Sequence, residues 1–155
     1  MKTNPELKTE KIARHLMSAL NGDFGKVYHQ FKGKPKEAIK HLLKVKHGEC
    51  PKALYRSDIG YIDIVWGEND KNNKGFGLKH IVEKHGHEIN QLGFNVEDFI
   101  PIVVQFGINK KTNYKERIYL YSEKFKAVIS TKWNGKKKTL LLTTFELKPL
   151  NKKKV

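Results

Sequence analysis

Two apolar-rich runs joined by Asn134-Gly135 constrain the fold of this chain more than any other feature. The runs span residues 126–133 and 138–147, and both are rich in β-branched, aromatic or leucine residues. Asn-Gly suits the two-residue turn of a β-hairpin, because both of its residues readily adopt positive φ angles. The pattern therefore predicts two antiparallel neighbours, and residues 116–121 predict a third strand before them.

The chain up to about residue 106 shows helical spacing more often than strand alternation. Three helices are predicted by apolar residues at that spacing: residues 5–20, 35–45 and 96–106. Pro101 predicts an early end or a kink in the last of them. Residues 53–56 and 60–67 indicate extended segments. Together the elements predict an α+β domain, with N-terminal helices packed on a four- to five-stranded, mainly antiparallel sheet.

The chain carries a large and unevenly placed positive charge. Its 155 residues include 31 Lys and Arg against 16 Asp and Glu, a net charge of +15. The surplus lies in residues 1–60 and 106–155, whereas residues 61–105 hold more acidic than basic side chains. Such a charge favours a polyanionic partner, most commonly nucleic acid, and a merely solvated lysine-rich surface is the alternative. No apolar run is long enough to span a membrane, so we expect no membrane partner.

One short segment places a histidine where a core residue is expected. Leu78, Ile81 and Val82 form an apolar stripe at helical spacing, and the same rule continues the stripe to His85. Gly86 predicts the end of that helix. A histidine held there can transfer a proton near neutral pH, as general acid–base catalysis requires. A hydrogen-bonded core histidine is the alternative.

The nearby His80 raises the question of a metal site. Metalloprotease-type helices place two histidines at positions i and i+4, on one face. Here His80 and His85 are five residues apart, which on a regular α-helix separates the two rings by about 140°. We therefore expect His80 to face away from the apolar stripe. We expect neither a metal nor a cofactor.

Metal-free cleavage of RNA is open to such a chain, because the 2′-hydroxyl of the substrate is the nucleophile. The protein must supply an acid, a base and donors for the charge that develops on phosphorus. Arg117 is one of three arginines beside 28 lysines, and its planar fork suits a phosphate. Pairing with an acid across the strands is the alternative. Thr143 or Thr144 can hold a phosphate oxygen or simply favour the strand, and Trp66 and Trp133 can stack bases or pack.

Five stretches, taken in order, resemble a known family. They are Phe31 to Ile39, Lys46 to Glu49, Asp58 to Gly67, Gly77 to His85 and Leu141 to Glu146. Over about residues 30–147 the chain resembles the phage- and mobile-element-associated branch of the barnase/EndoU/colicin/RelE-like ribonucleases. The most specific parts are Asp-Ile-Val-Trp-Gly at 63–67 and Gly-Leu-x-x-Ile-x-x-x-His at 77–85.

The resemblance implies a small α+β ribonuclease domain with a barnase/EndoU/colicin/RelE-like fold over residues 30–150. We expect residues 1–29 to form a helical arm and residues 151–155 a basic tail. The resemblance implies that His85 is catalytic, with Arg117 and Thr143 as its partners. The expected substrate-binding residues are Lys79, His80, Trp66, Thr131 and Trp133.

The activity that the resemblance implies is metal-independent endonucleolytic cleavage of RNA, in which the 2′-hydroxyl attacks and leaves a 2′,3′-cyclic phosphate. It further implies a toxin module that acts on transfer RNA or messenger RNA in the cytoplasm. Such a module is delivered into a target cell or encoded by a phage or mobile element, and an acidic immunity or antitoxin protein is the expected partner. The alternative is a non-catalytic nucleic-acid-binding or phage accessory domain with the same fold.

Overall fold

The computed structural model describes residues 21–111 and 116–148, so the predicted helix at 5–20 and the basic tail lie outside the described residues. The elements in chain order are β1 (Asn21–Gly22), β2 (Gly25–Lys26), a 3-10 turn (His29–Phe31), α1 (Pro35–Val45), β3 (Glu49–Arg56), β4 (Gly60–Val65), β5 (Glu68–Asn69), β6 (Gly75–Phe76), α2 (Gly77–His80), a π-helical turn (Ile81–His85), α3 (Gly86–Gln91), α4 (Val96–Phe106), β7 (Ile108–Asn109), β8 (Arg117–Tyr121), β9 (Phe125–Trp133) and β10 (Lys136–Glu146). None of these helices is long and apolar enough to cross a lipid bilayer.

Six strands form the main sheet of the described residues, in the order β3-β4-β10-β9-β8-β7. Neighbours are antiparallel except β4 and β10, which are parallel and share the single register pair Asp63–Leu140. The predicted α+β class is confirmed. The sheet exceeds the predicted four to five strands because β7 has two residues, too few for periodicity to indicate a strand.

The predicted hairpin of β9 and β10 is confirmed. Asn134 and Gly135 have φ angles of 50° and 76°. Positive φ at both central residues is the turn geometry that matches the twist of two paired strands. Trp133 and Lys136 face each other directly across the turn. The local sequence therefore sets the register at this end of the sheet.

The helix α4 continues past Pro101 to Phe106, so the expected early end does not occur. A proline inside a helix removes one backbone hydrogen bond. Four apolar side chains of α4 are nonetheless at most 2% exposed: Phe99, Ile100, Val103 and Val104. Burial of a large apolar side chain stabilises by roughly 1.5–3 kcal/mol, which offsets the loss.

The helical segment that carries His85 is longer than predicted and is not a regular α-helix. Gly86 has an ordinary helical φ of −59°, and α3 continues to Gln91. The prediction that Gly86 ends the helix was therefore wrong. The chain remains helical because the following turn brings Ile89 into the main core, where it is fully buried.

The helical segment Gly77–Gln91 lies along the part of β10 that follows its pairing with β4. Because β4 pairs with β10 only at Leu140, the later residues of β10 have no strand partner on that side among residues 21–111 and 116–148. The helical segment contacts β10 there. The backbone N–H of Glu146 donates a hydrogen bond of 3.1 Å to Oε2 of Glu88. A side chain of the helical segment thus replaces the missing strand at this point.

One face of the sheet packs on the helices and forms the main core, and the other face is only half covered. We call the second face the outer face; five of its side chains, all half-buried, are Arg117, Tyr119, Tyr121, Lys126 and Val128. Strand alternation places these residues opposite the buried Leu120, Ala127 and Ile129. A second, smaller apolar cluster around Val65, Leu140 and Leu142 covers one end of the outer face.

Candidate functional site

The π-helical turn brings the two histidines of the helical segment together. The ring centroids of His80 and His85 are 5.6 Å apart in an edge-to-face arrangement, and the residues are 6% and 9% exposed. A π-helix bonds residue i to residue i+5, so residues five apart lie above one another. The expectation that His80 faces away from the apolar stripe assumed a regular α-helix, and it was wrong for that reason.

Glu88 holds the ring of His85 in one orientation. Nδ1 of His85 lies 2.7 Å from Oε1 of Glu88, and an ionised carboxylate can only accept, so Nδ1 carries the proton. The other nitrogen, Nε2, makes no hydrogen bond to any of residues 21–111 and 116–148. The ring also stacks on Phe145 of β10, with centroids 5.3 Å apart. The ring of His85 is therefore fixed in orientation, and Nε2 is the nitrogen that Glu88 leaves available.

Asn69 of β5 holds His80 in a similar way. Nδ1 of His80 lies 2.8 Å from Oδ1 of Asn69, whose Nδ2 donates to Oε1 of Glu83 at 3.0 Å. Because the amide nitrogen is used by Glu83, the amide oxygen accepts from His80. Burial lowers the pKa of His80, and positive charge on His85 and Lys84 lowers it further. His80 is therefore a neutral neighbour of His85 at neutral pH.

The paired histidines do not make a metal site by themselves. Their Nδ1 atoms are engaged by Asn69 and Glu88. In the part of the chain that the structure describes, no three His, Cys, Asp or Glu side chains converge to hold an ion.

Two one-residue register shifts in β10, between Lys137 and Leu140 and between Leu141 and Thr143, together set which threonine faces the outer side. Leu141 pairs with Ile129 but Thr143 pairs with Val128, so one extra residue lies between them on β10. Thr144 consequently points into the core and donates to the carbonyl of Lys126 at 3.1 Å. Thr143 shares the outer face with Phe145. Its Oγ1 is enclosed and makes no hydrogen bond to a described residue.

Lys126 lies on the outer face and is linked to His85 through Phe145. It pairs with Phe145, the residue on which the His85 ring stacks. Its Nζ lies 4.5 Å and 5.1 Å from the ring centroids of Tyr119 and Tyr121. The sequence analysis missed Lys126 and Glu88. Nothing in the sequence distinguishes Lys126 from the other lysines. The i, i+3 spacing of His85 and Glu88 on a continued helix could have predicted their contact.

Arg117 lies on the same face but not beside His85. It pairs with Ser130, four positions along β9 from Lys126, or about 13 Å. It lines a cleft of 260 Å³ with Ser130, Lys132 and Trp133. Thr131 does not line this cleft, and its backbone N–H donates to the carbonyl of Glu116 at 2.9 Å.

The two tryptophans meet in a larger cleft. We call it the aromatic cleft; it has a volume of 470 Å³, and its aromatic side chains are Phe24, Trp66, Phe76 and Trp133. Lys79 lines an adjoining cleft of 330 Å³ together with Trp66, and its N–H donates to the carbonyl of Trp66 at 2.8 Å. The structure thus places Trp66, Trp133 and Lys79 near one another, and His85 at the other end of β10.

Comparison with curated proteins and with solved structures gave no significant match. One family model, described as phage-Barnase-EndoU-ColicinE5/D-RelE like nuclease1, matches residues 53–149. The matched region covers more than half of the 155 residues and runs from within β3 to beyond the end of β10. The resemblance inferred from the motifs is confirmed, although the match begins later than residue 30. The chain therefore belongs to the family of phage-associated nucleases that resemble barnase, EndoU, colicins E5 and D, and RelE.

Proposed function

We propose that the protein is a metal-independent endoribonuclease in which His85 transfers the proton. The observation that carries the proposal is the 2.7 Å contact between His85 Nδ1 and Glu88 Oε1. It leaves Nε2 as the basic nitrogen of a fixed ring, next to the outer face of a basic domain. General base catalysis needs that combination of geometry and protonation state.

In the proposed reaction Nε2 of His85 removes the proton of a ribose 2′-hydroxyl. The 2′-oxygen forms a bond to phosphorus, the bond from phosphorus to the 5′-oxygen breaks, and the leaving oxygen takes up a proton from water. The products are a 2′,3′-cyclic phosphate and a 5′-hydroxyl. Glu88 compensates the charge that the imidazole gains, and His80 is a positioning residue for the same ring.

The negative charge that builds on the phosphate oxygens requires cations or hydrogen-bond donors. Lys126 pairs across the strands with Phe145, the residue on which His85 stacks, and we assign it this role. The hydroxyl of Thr143 lacks a partner among the described residues, so we propose that it donates to a phosphate oxygen once substrate opens the site. Because of its distance, we assign Arg117 to a phosphate beyond the reacting one. A toxin acting on cellular RNA and held by an acidic inhibitor is the biological setting we propose.

The test is incubation of total RNA with the purified chain in the presence of a chelator. We expect wild type to cleave RNA and leave 2′,3′-cyclic phosphate ends, and His85→Ala to lose at least 100-fold in rate, as removal of a general base typically does. His87→Ala is the matched control, because His87 is an exposed histidine two residues away. A folded wild type that binds RNA without cleaving it would favour the non-catalytic nucleic-acid-binding alternative.

A further inference from the structure

The aromatic cleft is built from four separate parts of the chain. Phe24 comes from the turn between β1 and β2, Trp66 follows β4, Phe76 ends β6, and Trp133 ends β9. The ring centroids of Phe76 and Trp133 are 4.6 Å apart, and those of Phe24 and Trp133 are 5.1 Å apart. All four side chains are half-buried and line the cleft.

The walls of the cleft are held close together by glycines. Gly48 and Gly67 line it with φ angles of 88° and 75°, which residues other than glycine rarely adopt. A Cβ atom on Gly67 would collide with the backbone of Phe76, and one on Gly48 would collide with the carbonyl of Lys26. The cleft is thus formed before any ligand arrives.

Beneath the ring of Phe24 lies an enclosed ion cluster. Nζ of Lys138 lies 5.5 Å from the Phe24 centroid, and it donates to Oε1 of Glu49 at 2.7 Å and to Oδ2 of Asp63 at 2.8 Å. The cluster joins β3, β4 and β10 under the cleft. The floor is therefore rigid, and Lys138 is already paired and not available to a ligand.

Both basic and acidic side chains line the cleft. Lys46 and His47 line it together with the carboxylates of Asp23 and Glu68. Trp133 is shared with the cleft of Arg117, where Lys132 pairs with Glu116 at 3.4 Å. An aromatic face beside a cation is what single-stranded nucleic acids bind, because every base has a face to stack and every nucleotide a phosphate, and Trp133 beside Arg117 is such a pair.

We propose that the aromatic cleft binds an unstacked nucleobase of single-stranded RNA against Trp133 and Trp66, while Arg117 binds a backbone phosphate beside it. The cleft is distinct from the His85 site and selects unpaired RNA for it. The inference rests on the proposed function only in taking the ligand to be the RNA that His85 cleaves. A volume of 470 Å³ lies within the range of small-molecule sites and admits one base with its sugar.

The test uses the protein's own fluorescence, because its only two tryptophans both line the cleft. His85→Ala is titrated with a single-stranded oligoribonucleotide and with the same sequence as a duplex. We expect the single strand to quench tryptophan emission and the duplex to leave it unchanged. In anisotropy titrations Trp133→Ala should weaken single-strand binding roughly 5- to 150-fold, the range for loss of one stacked base. Trp133→Phe keeps an aromatic ring and should retain most of the single-strand affinity.

Tyr55→Ala is the matched control, because Tyr55 is an exposed aromatic residue that lines none of these clefts. Equal binding by Trp133→Ala and Tyr55→Ala, or equal quenching by duplex and single strand, would overturn the inference. Cleavage by wild type without quenching would leave the proposed function standing and remove the base site. Quenching by single-stranded RNA that wild type does not cleave would support the base site and remove the proposed function.

Discussion

Glu88 offers the sharpest test of the proposed site, because one carboxylate serves two N–H groups. Oε1 accepts from Nδ1 of His85 at 2.7 Å, and Oε2 accepts from the N–H of Glu146 at 3.1 Å. Glu88→Gln preserves the shape of the side chain but replaces one oxygen by an NH₂ group, which only donates. Whichever way the amide turns, one of the two N–H groups then faces a donor.

The expected loss in kcat follows from the type of hydrogen bond that Glu88→Gln removes. The side chains of His85 and Glu88 are 11% and 26% exposed, so the pair is partly shielded from water. Hydrogen bonds to charged groups contribute about 1.5–3 kcal/mol in such settings. Each 1.36 kcal/mol is a factor of ten in rate, so Glu88→Gln should lower kcat about 10- to 150-fold. KM should stay within a factor of about three, because Glu88 acts through His85 and not on the substrate.

The assay is steady-state cleavage of a fluorogenic oligoribonucleotide, at a temperature where circular dichroism shows both proteins folded. Glu123→Gln is the control, because it makes the same chemical change in an exposed turn. A Glu88→Gln variant with wild-type kcat would refute the role of Glu88. A variant with unchanged kcat and a raised KM would show that Glu88 binds substrate instead.

Three further predictions concern stability. Arg56→Lys should destabilise the fold by about 2–4 kcal/mol in urea unfolding, because Arg56 pairs with both oxygens of Asp58 at 2.9 Å and donates to the last carbonyls of α4; an unchanged midpoint would contradict this. The pKa of His80 is lowered in the folded state, so as the pH drops below about 6.5 the imidazole is protonated more readily in the unfolded state. The free energy of unfolding should therefore fall with pH in that range, and His80→Gln should make this fall less steep. Gly86→Ala should stabilise by about 0.5–1 kcal/mol, since its φ is helical and the new methyl group meets only Val82, whereas Gly77→Ala should destabilise, since its φ is +82°.

Much of the secondary structure was readable because it depends on neighbours in sequence. The period of α1, the alternation in β8 to β10 and the Asn134-Gly135 turn are all local features, and each appears where it was predicted. Gly86 was misjudged because a glycine permits a helix to end without requiring it. Whether the helix ends depends on what the next turn can bury, and that is a property of the fold.

The candidate site was readable only in part. His85 was identified from one stripe of apolar residues and from the family resemblance. Thr143 could not be separated from Thr144, because the faces that they point to depend on two one-residue register shifts in β10. The distance between Arg117 and His85 could not be predicted from the sequence either, since it depends on the register of three strands.

The sequence by itself determined the α+β class, the β9–β10 hairpin, the basic charge and the nuclease family. The first three follow from local periodicity, turn chemistry and composition, and the family follows from the motifs at 63–67 and 77–85 and from the family-model match. Only the tertiary structure decided that His80 and His85 touch, that Glu88 holds His85, and that two distant tryptophans share a cleft. These outcomes depend on a π-helical turn, a bulge and a strand edge without a partner, where burial and hydrogen-bond satisfaction across the whole domain outweigh the local preferences of the chain.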